Sequence, residues 1–330
     1  MADTKITGLT QLTGAGSTAD TDDLVIVDVS DTTMAASGTD KRITVADVSQ
    51  AVFERPPPVW TTTTPAVPSA GAKIFSRVRA GKARAAQIGP SGLDYPFQAG
   101  VDVNSCCWLR PAGNSTTVTA MGFPAPTAIG TATTANWANT NLLTSMKRIS
   151  YISSTTASSS GGMKINVLNF WRGNAAGLGG FYFCCRFGIA AQPTNWRMFC
   201  GMYGSTTNPS TTADPSAWTV GAIGVCKSSA DTNLQFITVG TSAALSSTGL
   251  GLPSTAQVVE VRIFAAPNSS SVGISCEILN GVGGPVDYTY SSTQLPAITA
   301  GLLPMLWANN GGTAAAVDPH LMGMYVETDF

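Results

Sequence analysis

From about residue 145 to its end, the chain never sustains an apolar pattern long enough for a core-forming helix before Gly, Ser, Thr, Asn or Pro interrupts it. What it offers instead is a series of β-type runs: 164–170, 180–189, 196–203, 222–226, 234–239, 257–264, 272–279 and 323–328. Val258–Phe264 shows the pattern: strand alternation sends Val259, Val261 and Ile263 one way and Glu260 and Arg262 the other, so one face is core and one polar. Many short strands punctuated by turn residues predict a mostly β body, a two-sheet sandwich or jelly roll. No fixed-period repeat supports a solenoid or propeller.

Residues 1–55 differ from this body, with nine acidic and four basic side chains. Asp23–Val29 and Thr39–Ile43 read as a small β-hairpin across Ala35–Gly38. A short helix is expected after it, with Thr44 as N-cap, Asp47 three residues on, and Ile43 stapled against Val48. Helical spacing aligns Val45, Val48 and Val52. Pro56-Pro57-Pro58 stops the helix and opens a stiff linker. The expected organisation is a module over 1–55, a Pro/Thr-rich linker over 56–72, an intermediate β-rich segment over 73–144 and a β-sandwich over 145–330.

Charged residues make up 11% of the 330 residues, against roughly 25% in an ordinary soluble domain. The surface must therefore be solvated largely by hydroxyls and amides. A net charge of -1 provides no broad field for phosphate backbones, so nucleic acid is not an expected partner. No apolar run reaches the roughly 18 residues of a membrane span, and Met1–Leu12 lacks the features of a signal peptide. The expectation is a chain beginning near Met1 with no membrane insertion. Seven cysteines, including the vicinal pairs Cys106-Cys107 and Cys184-Cys185, show no framework spacing and read as buried thiols suited to a reducing compartment.

One basic cluster stands out. Lys73, Arg77, Arg79, Lys82 and Arg84 occur without an acid among them, as a solvated strand face or a contact with an acidic neighbour. Reactive chemistry is sparse. His320 is the only histidine, which removes a histidine-rich zinc site and leaves one possible base for a triad. Neither a nucleophile elbow nor a phosphate-binding glycine loop occurs. Glycoside hydrolysis needs only two carboxylates and stays open, but Glu260 beside Arg262 reads as an ion pair rather than a raised acid. No catalytic residue, metal or cofactor is expected. For binding, Tyr203 and Trp218 bracket a turn-rich segment that includes Asn208 and Asp214, and rings with amides and carboxylates suit sugar faces and hydroxyls.

Two sets of segments resemble a known family. Lys5-Ile6-Thr7-Gly8-Leu9-Thr10 and the stretch Asp22–Thr44 resemble the amino-terminal module of bacteriophage virion fibre proteins. Downstream, Ala86–Asp94, Pro111–Val118, Arg186–Ile189, Arg197–Met202 and Tyr325–Phe330 are similar in order to the distal half of phage tail-fibre or related structural proteins. The resemblance implies a homotrimeric tail or head fibre, assembled in the bacterial cytoplasm and located on the virion. Its amino-terminal module, with Leu24, Ile26, Val27, Ile43, Val48 and Val52 as the docking residues, would sit on head, collar or tail proteins. The distal domain would meet host cell-surface polysaccharide, with Tyr203, Asn208, Asp214 and Trp218 as contacts. The alternatives are a capsid or collar decoration protein and, less favoured, a polysaccharide depolymerase.

Overall fold

The computed structural model describes residues 23–28, 39–44, 65–66, 68–69, 73–88, 94–96, 105–174, 178–291 and 294–328. The chain divides into two units, Met1–Thr61 and Thr62–Phe330. In the first, β1 (Asp23–Asp28) and β2 (Thr39–Thr44) pair antiparallel with Leu24 opposite Ile43, Val27 opposite Asp40 and Ile26 opposite Lys41. The expected hairpin is present. Val48, Val52 and the run Pro56-Pro57-Pro58 lie outside the described residues.

The second unit opens with β3 (Lys73–Arg79), β4 (Lys82–Ile88) and β5 (Asp94–Pro96), which form a small three-stranded sheet. There follow β6 (Ser105–Pro111), β7 (Val118–Met121), β8 (Thr127–Ile129), β9 (Thr131–Ala135), the single-turn helix α1 (Leu142–Ser145), β10 (Arg148–Ile152) and β11 (Ser160–Lys164). Next come β12 (Phe181–Ile189), β13 (Arg197–Tyr203), β14 (Ala222–Lys227), β15 (Asn233–Val239) and β16 (Ala243–Gly251). The last are β17 (Val258–Ala265), β18 (Val272–Leu279), β19 (Val286–Tyr290), β20 (Leu303–Asn309) and β21 (Pro319–Thr328).

These strands build two large antiparallel sheets. The nine-stranded sheet runs β19-β18-β17-β12-β21-β10-β9; β6 also pairs with β21, and β7 extends it. One edge of β21 lies along β12, while the other is shared by β10 at His320–Leu321 and β6 at Met324–Thr328. The seven-stranded sheet runs β16-β15-β14-β13-β20-β11-β8. The protein is thus mostly β and sandwich-like, as the punctuated runs require.

Alternation fills the space between the sheets. Phe181, Phe183, Cys185, Phe187 and Ile189 of β12, with Val259, Val261 and Ile263 of β17, meet Met198, Cys200, Met202, Ile223, Val225 and Phe236 of the facing sheet. Burying each large apolar side chain stabilises the fold by about 1.5–3 kcal/mol. A second cluster lies on the outer face of the seven-stranded sheet, where Phe199, Tyr203, Trp307, Ile237 and Val239 are covered by Trp218. That sheet is consequently buried on both faces, and its strands read as apolar runs rather than clean alternation.

Two expectations are corrected. The boundary at residue 144 does not exist, because β6, β7 and β9 hydrogen-bond into the nine-stranded sheet and β8 into the seven-stranded one. The strand expected over 164–170 lies earlier, at Ser160–Lys164. After Lys164 the Val167 N–H turns back onto the Ile165 carbonyl at 2.8 Å, which takes the backbone off the ladder; Phe170 makes only an isolated bridge to Leu302.

Candidate functional site

The polar faces of four adjacent strands in the nine-stranded sheet converge. Period-two alternation that points Phe183, Val261 and Val326 inward points Tyr182, Cys184 and Arg186 of β12, Glu260 and Arg262 of β17, and Tyr325 and Glu327 of β21 outward. On β6 the inward Cys107 and Leu109 leave Trp108 and Arg110 on the same outer face. Two separate pieces of chain then rise above this face and leave an opening between them.

One wall is the β3–β4 hairpin. Arg79 pairs with Lys82 across a two-residue turn, Ala80-Gly81, both at positive φ (53° and 84°). The turn rests on β18 at Gly273, where a Cβ would stand 2.1 Å from the Ala80 carbonyl oxygen, so only glycine allows the hairpin so close. The hairpin lowers Lys82 and Arg84 onto the Glu327 carboxylate, which Tyr325 Oη also contacts. Arg84 lies over the Tyr182 ring at 4.6 Å. Of the two sequence readings of the basic cluster, contact with an acidic neighbour therefore describes Lys82 and Arg84.

The other wall is the segment around α1. Asn141 Oδ1 accepts from the Thr144 N–H at 2.8 Å while Thr144 Oγ1 accepts from the Asn141 N–H at 3.1 Å, a reciprocal cap on a very short helix. Leu143 packs with Val258 and Met322 on the outer face of the sheet. This places Lys147, just beyond the helix, at the rim, its stem along Gly113 of the Pro111–Asn114 turn.

Between the walls lies a cleft of about 1030 Å³. Arg77, Lys82 and Arg84 from the hairpin, Arg186 and Arg262 from its floor, and Arg110 and Lys147 at its rim line it, seven of the chain's 18 basic side chains. Two carboxylates hold four of these cations: Glu260 binds Arg186 and Arg262, and Glu327 binds Lys82 and Arg84. Both carboxylates are almost fully buried, at 3% and 2% exposure. Burial pushes the Glu260 carboxyl up, but Arg262 and Arg186 outweigh it and hold the group below its ordinary range. Burial, reinforced by Glu260, pushes the Cys184 thiol up to about 12, which leaves little thiolate at neutral pH. Arg110 and Lys147 are exposed, and neither has a carboxylate partner among the described residues. The cleft is an electropositive groove with an indole, Trp108, in its wall.

The binding residues expected from sequence lie elsewhere and face inward. Tyr203 and Trp218 are 4% and 6% exposed, and the Trp218 ring packs on Phe199, Tyr203 and Trp307 at centroid distances of 5.2, 5.4 and 5.6 Å. An apolar outer sheet face needs cover, and these rings supply it, so they cannot also offer flat faces to a ligand. Asp214 is engaged by Arg197 and by the N–H and hydroxyl of Ser229. Its carboxyl, pushed up by burial, is brought below the ordinary range by those hydrogen bonds. Asn208 Oδ1 accepts from the buried Lys164 Nζ at 2.7 Å. This loop is a pinned cap, and none of the four residues lines the cleft.

His320 is likewise committed. Arg148 Nε donates to its Nδ1 at 3.0 Å, so Nε2 carries the proton given to Asp318 Oδ2 at 2.8 Å. Ser150 donates to Asp318 rather than to the imidazole, so no activated hydroxyl forms. The group ties β10 to β21 where Ser150 faces His320.

No protein-family model matches the chain, and no curated protein matches it. Among solved structures, a protein of unknown function from Shewanella oneidensis MR-1 is 15% identical, with a TM-score of 0.46, over 68% of this chain and 85% of that one. Peanut lectin, solved with a nine-residue peptide, is 13% identical with a TM-score of 0.44, over 68% and 97%. Lectin UEA-II, solved with galactose, is 11% identical with a TM-score of 0.43, over 68% and 98%.

Proposed function

We propose that the chain is a bacteriophage virion fibre protein that docks on the particle through its amino-terminal module and attaches to host-surface polysaccharide through its β-sandwich. The observation that carries the attachment role is the cleft: an open groove with an indole wall and an excess of cationic donors, on a rigid sheet. Binding rather than cleavage is favoured because Glu260 and Glu327 are both spent on ion pairs, and Glu260 is held too acidic to protonate a leaving group. The hairpin of β1 and β2 and the segments similar to fibre proteins support the docking role. Trimerisation would convert weak individual sites into avid attachment.

The purified chain, added in excess, is expected to coat host cells and reduce adsorption of the phage that carries it. Absence of both effects refutes attachment. Particles lacking the chain that adsorb normally and lose only heat resistance would make it a decoration protein instead.

A further inference from the structure

Building on the attachment reading, we infer that the cleft selects acidic polysaccharide, with Arg110 and Lys147 binding the carboxylate or sulfate groups of the polymer and Trp108 carrying a sugar ring. The inference rests on how the seven cations are divided. Four are consumed within the fold by Glu260 and Glu327, and Arg77 adds to the field around Glu260. Arg110 and Lys147, exposed at the rim, are therefore the donors presented to a ligand. The register opposite Thr119 places Arg110 on the strand, and the Lys147 stem packs on Gly113. The turn that carries Gly113 is fixed in turn by Asn114 Oδ1, which accepts from the Trp137 N–H at 2.9 Å.

Trp108 and Arg110 are two residues apart on one strand face, about 7 Å along it. That separation lets a pyranose lie on the indole while an acidic group of the same or the next sugar meets the guanidinium. The Trp108 indole N–H is turned to Met121 Sδ at 3.2 Å, which fixes the ring plane. Tyr182 cannot serve as the platform, because its ring is buried beneath Arg84 and Lys82. A nucleic acid is the poorer fit. Seven basic side chains gather in one short cleft on a chain of net charge -1, whereas nucleic acid binding draws on many phosphate contacts along a track.

The test measures binding of the full chain to heparin, hyaluronan and polygalacturonate, with neutral dextran and duplex DNA as comparators. At least one acidic polysaccharide is expected to bind tenfold or more tightly than dextran and DNA. Arg110→Gln and Lys147→Gln are each expected to weaken that binding about tenfold without moving the thermal midpoint. Lys73→Gln, at an exposed site outside the cleft where the ammonium meets the Ala66 carbonyl, is expected to leave it unchanged. The inference is overturned if no acidic polymer binds, if dextran or DNA binds as well, or if Lys73→Gln weakens binding as much as the rim variants. Cell coating that persists while every acidic polymer fails would sink the acidic specificity and leave attachment standing. Acidic polymers that bind while cells stay uncoated would do the reverse.

Discussion

Replacing Glu260 by Gln keeps the volume of the side chain and removes only its charge, so it isolates the electrostatics of the cleft floor. The Glu260 side chain is buried and holds two guanidiniums of different burial, Arg262 at 12% and Arg186 at 48% side-chain exposure. Arg186 can turn to water when its partner is lost and should add little. Arg262 cannot, and it cannot escape by deprotonating either. Breaking a buried pair in this way costs about 3–5 kcal/mol. Glu277, opposite Glu260 on β18, also acts on Arg262, so the lower end, about 3 kcal/mol, is expected. For a unit the size of Thr62–Phe330, each kcal/mol moves the midpoint by roughly 2 °C, which puts the variant about 6 °C below the parent at neutral pH. Because the folded Glu260 carboxyl titrates below its ordinary 4.5, the unfolded chain binds more protons in that window. The parent therefore loses this stabilisation as pH falls through 4.5 and below, and the gap between the two proteins closes. Calorimetry from pH 7 to pH 3 checks both statements. A midpoint within about 1 °C of the parent at pH 7, or a gap that persists undiminished at pH 3, would refute the reasoning.

Trp218→Ala removes the ring that covers the outer face of the seven-stranded sheet and should cost about 3–5 kcal/mol; denaturant titration reads the cost, and cleft binding should be unaffected in the protein that remains folded. Gly273→Ala places a Cβ against the Ala80 carbonyl and should destabilise by about 1–3 kcal/mol, with limited proteolysis showing earlier cutting at the β3–β4 hairpin; an unchanged cleavage pattern would contradict the close contact. Five of the seven cysteines are buried and Cys106 and Cys184 are partly so, so a thiol reagent should titrate no more than two in the native protein and all seven in denaturant, with Cys184 slow because its thiol is pushed up to about 12.

The fold class was legible because it depends on periodicity, which is local. Val258–Phe264 alternates apolar and charged side chains up to Ile263, Val272–Leu279 has the bounds its apolar run marks out, and the turn residues between runs leave no room for a long helix. β20 (Leu303–Asn309) escaped notice because burial on both faces removes alternation, and β7, β8 and β9 because they are short, hydroxyl-rich and stabilised by partners distant in the chain.

The site was legible only in fragments. The basic run 73–84 was visible as charge and the Glu260–Arg262 pair as strand neighbours, yet nothing local says that they meet. Aromatics flanking a turn-rich loop looked like a binding face, and the fold used Tyr203 and Trp218 to close its own apolar surface. Sequence by itself determined that the chain makes short antiparallel strands, a small amino-terminal hairpin and a charge-poor body, since backbone propensity and side-chain period act over a few residues. Tertiary structure alone decided that Arg84, Arg110, Lys147, Arg186 and Arg262, spread over nearly two hundred positions, surround one cleft. Strand order, and not proximity in sequence, sets which polar faces become neighbours, and burial beneath the hairpin decides which charges are spent inside the fold and which remain for a ligand.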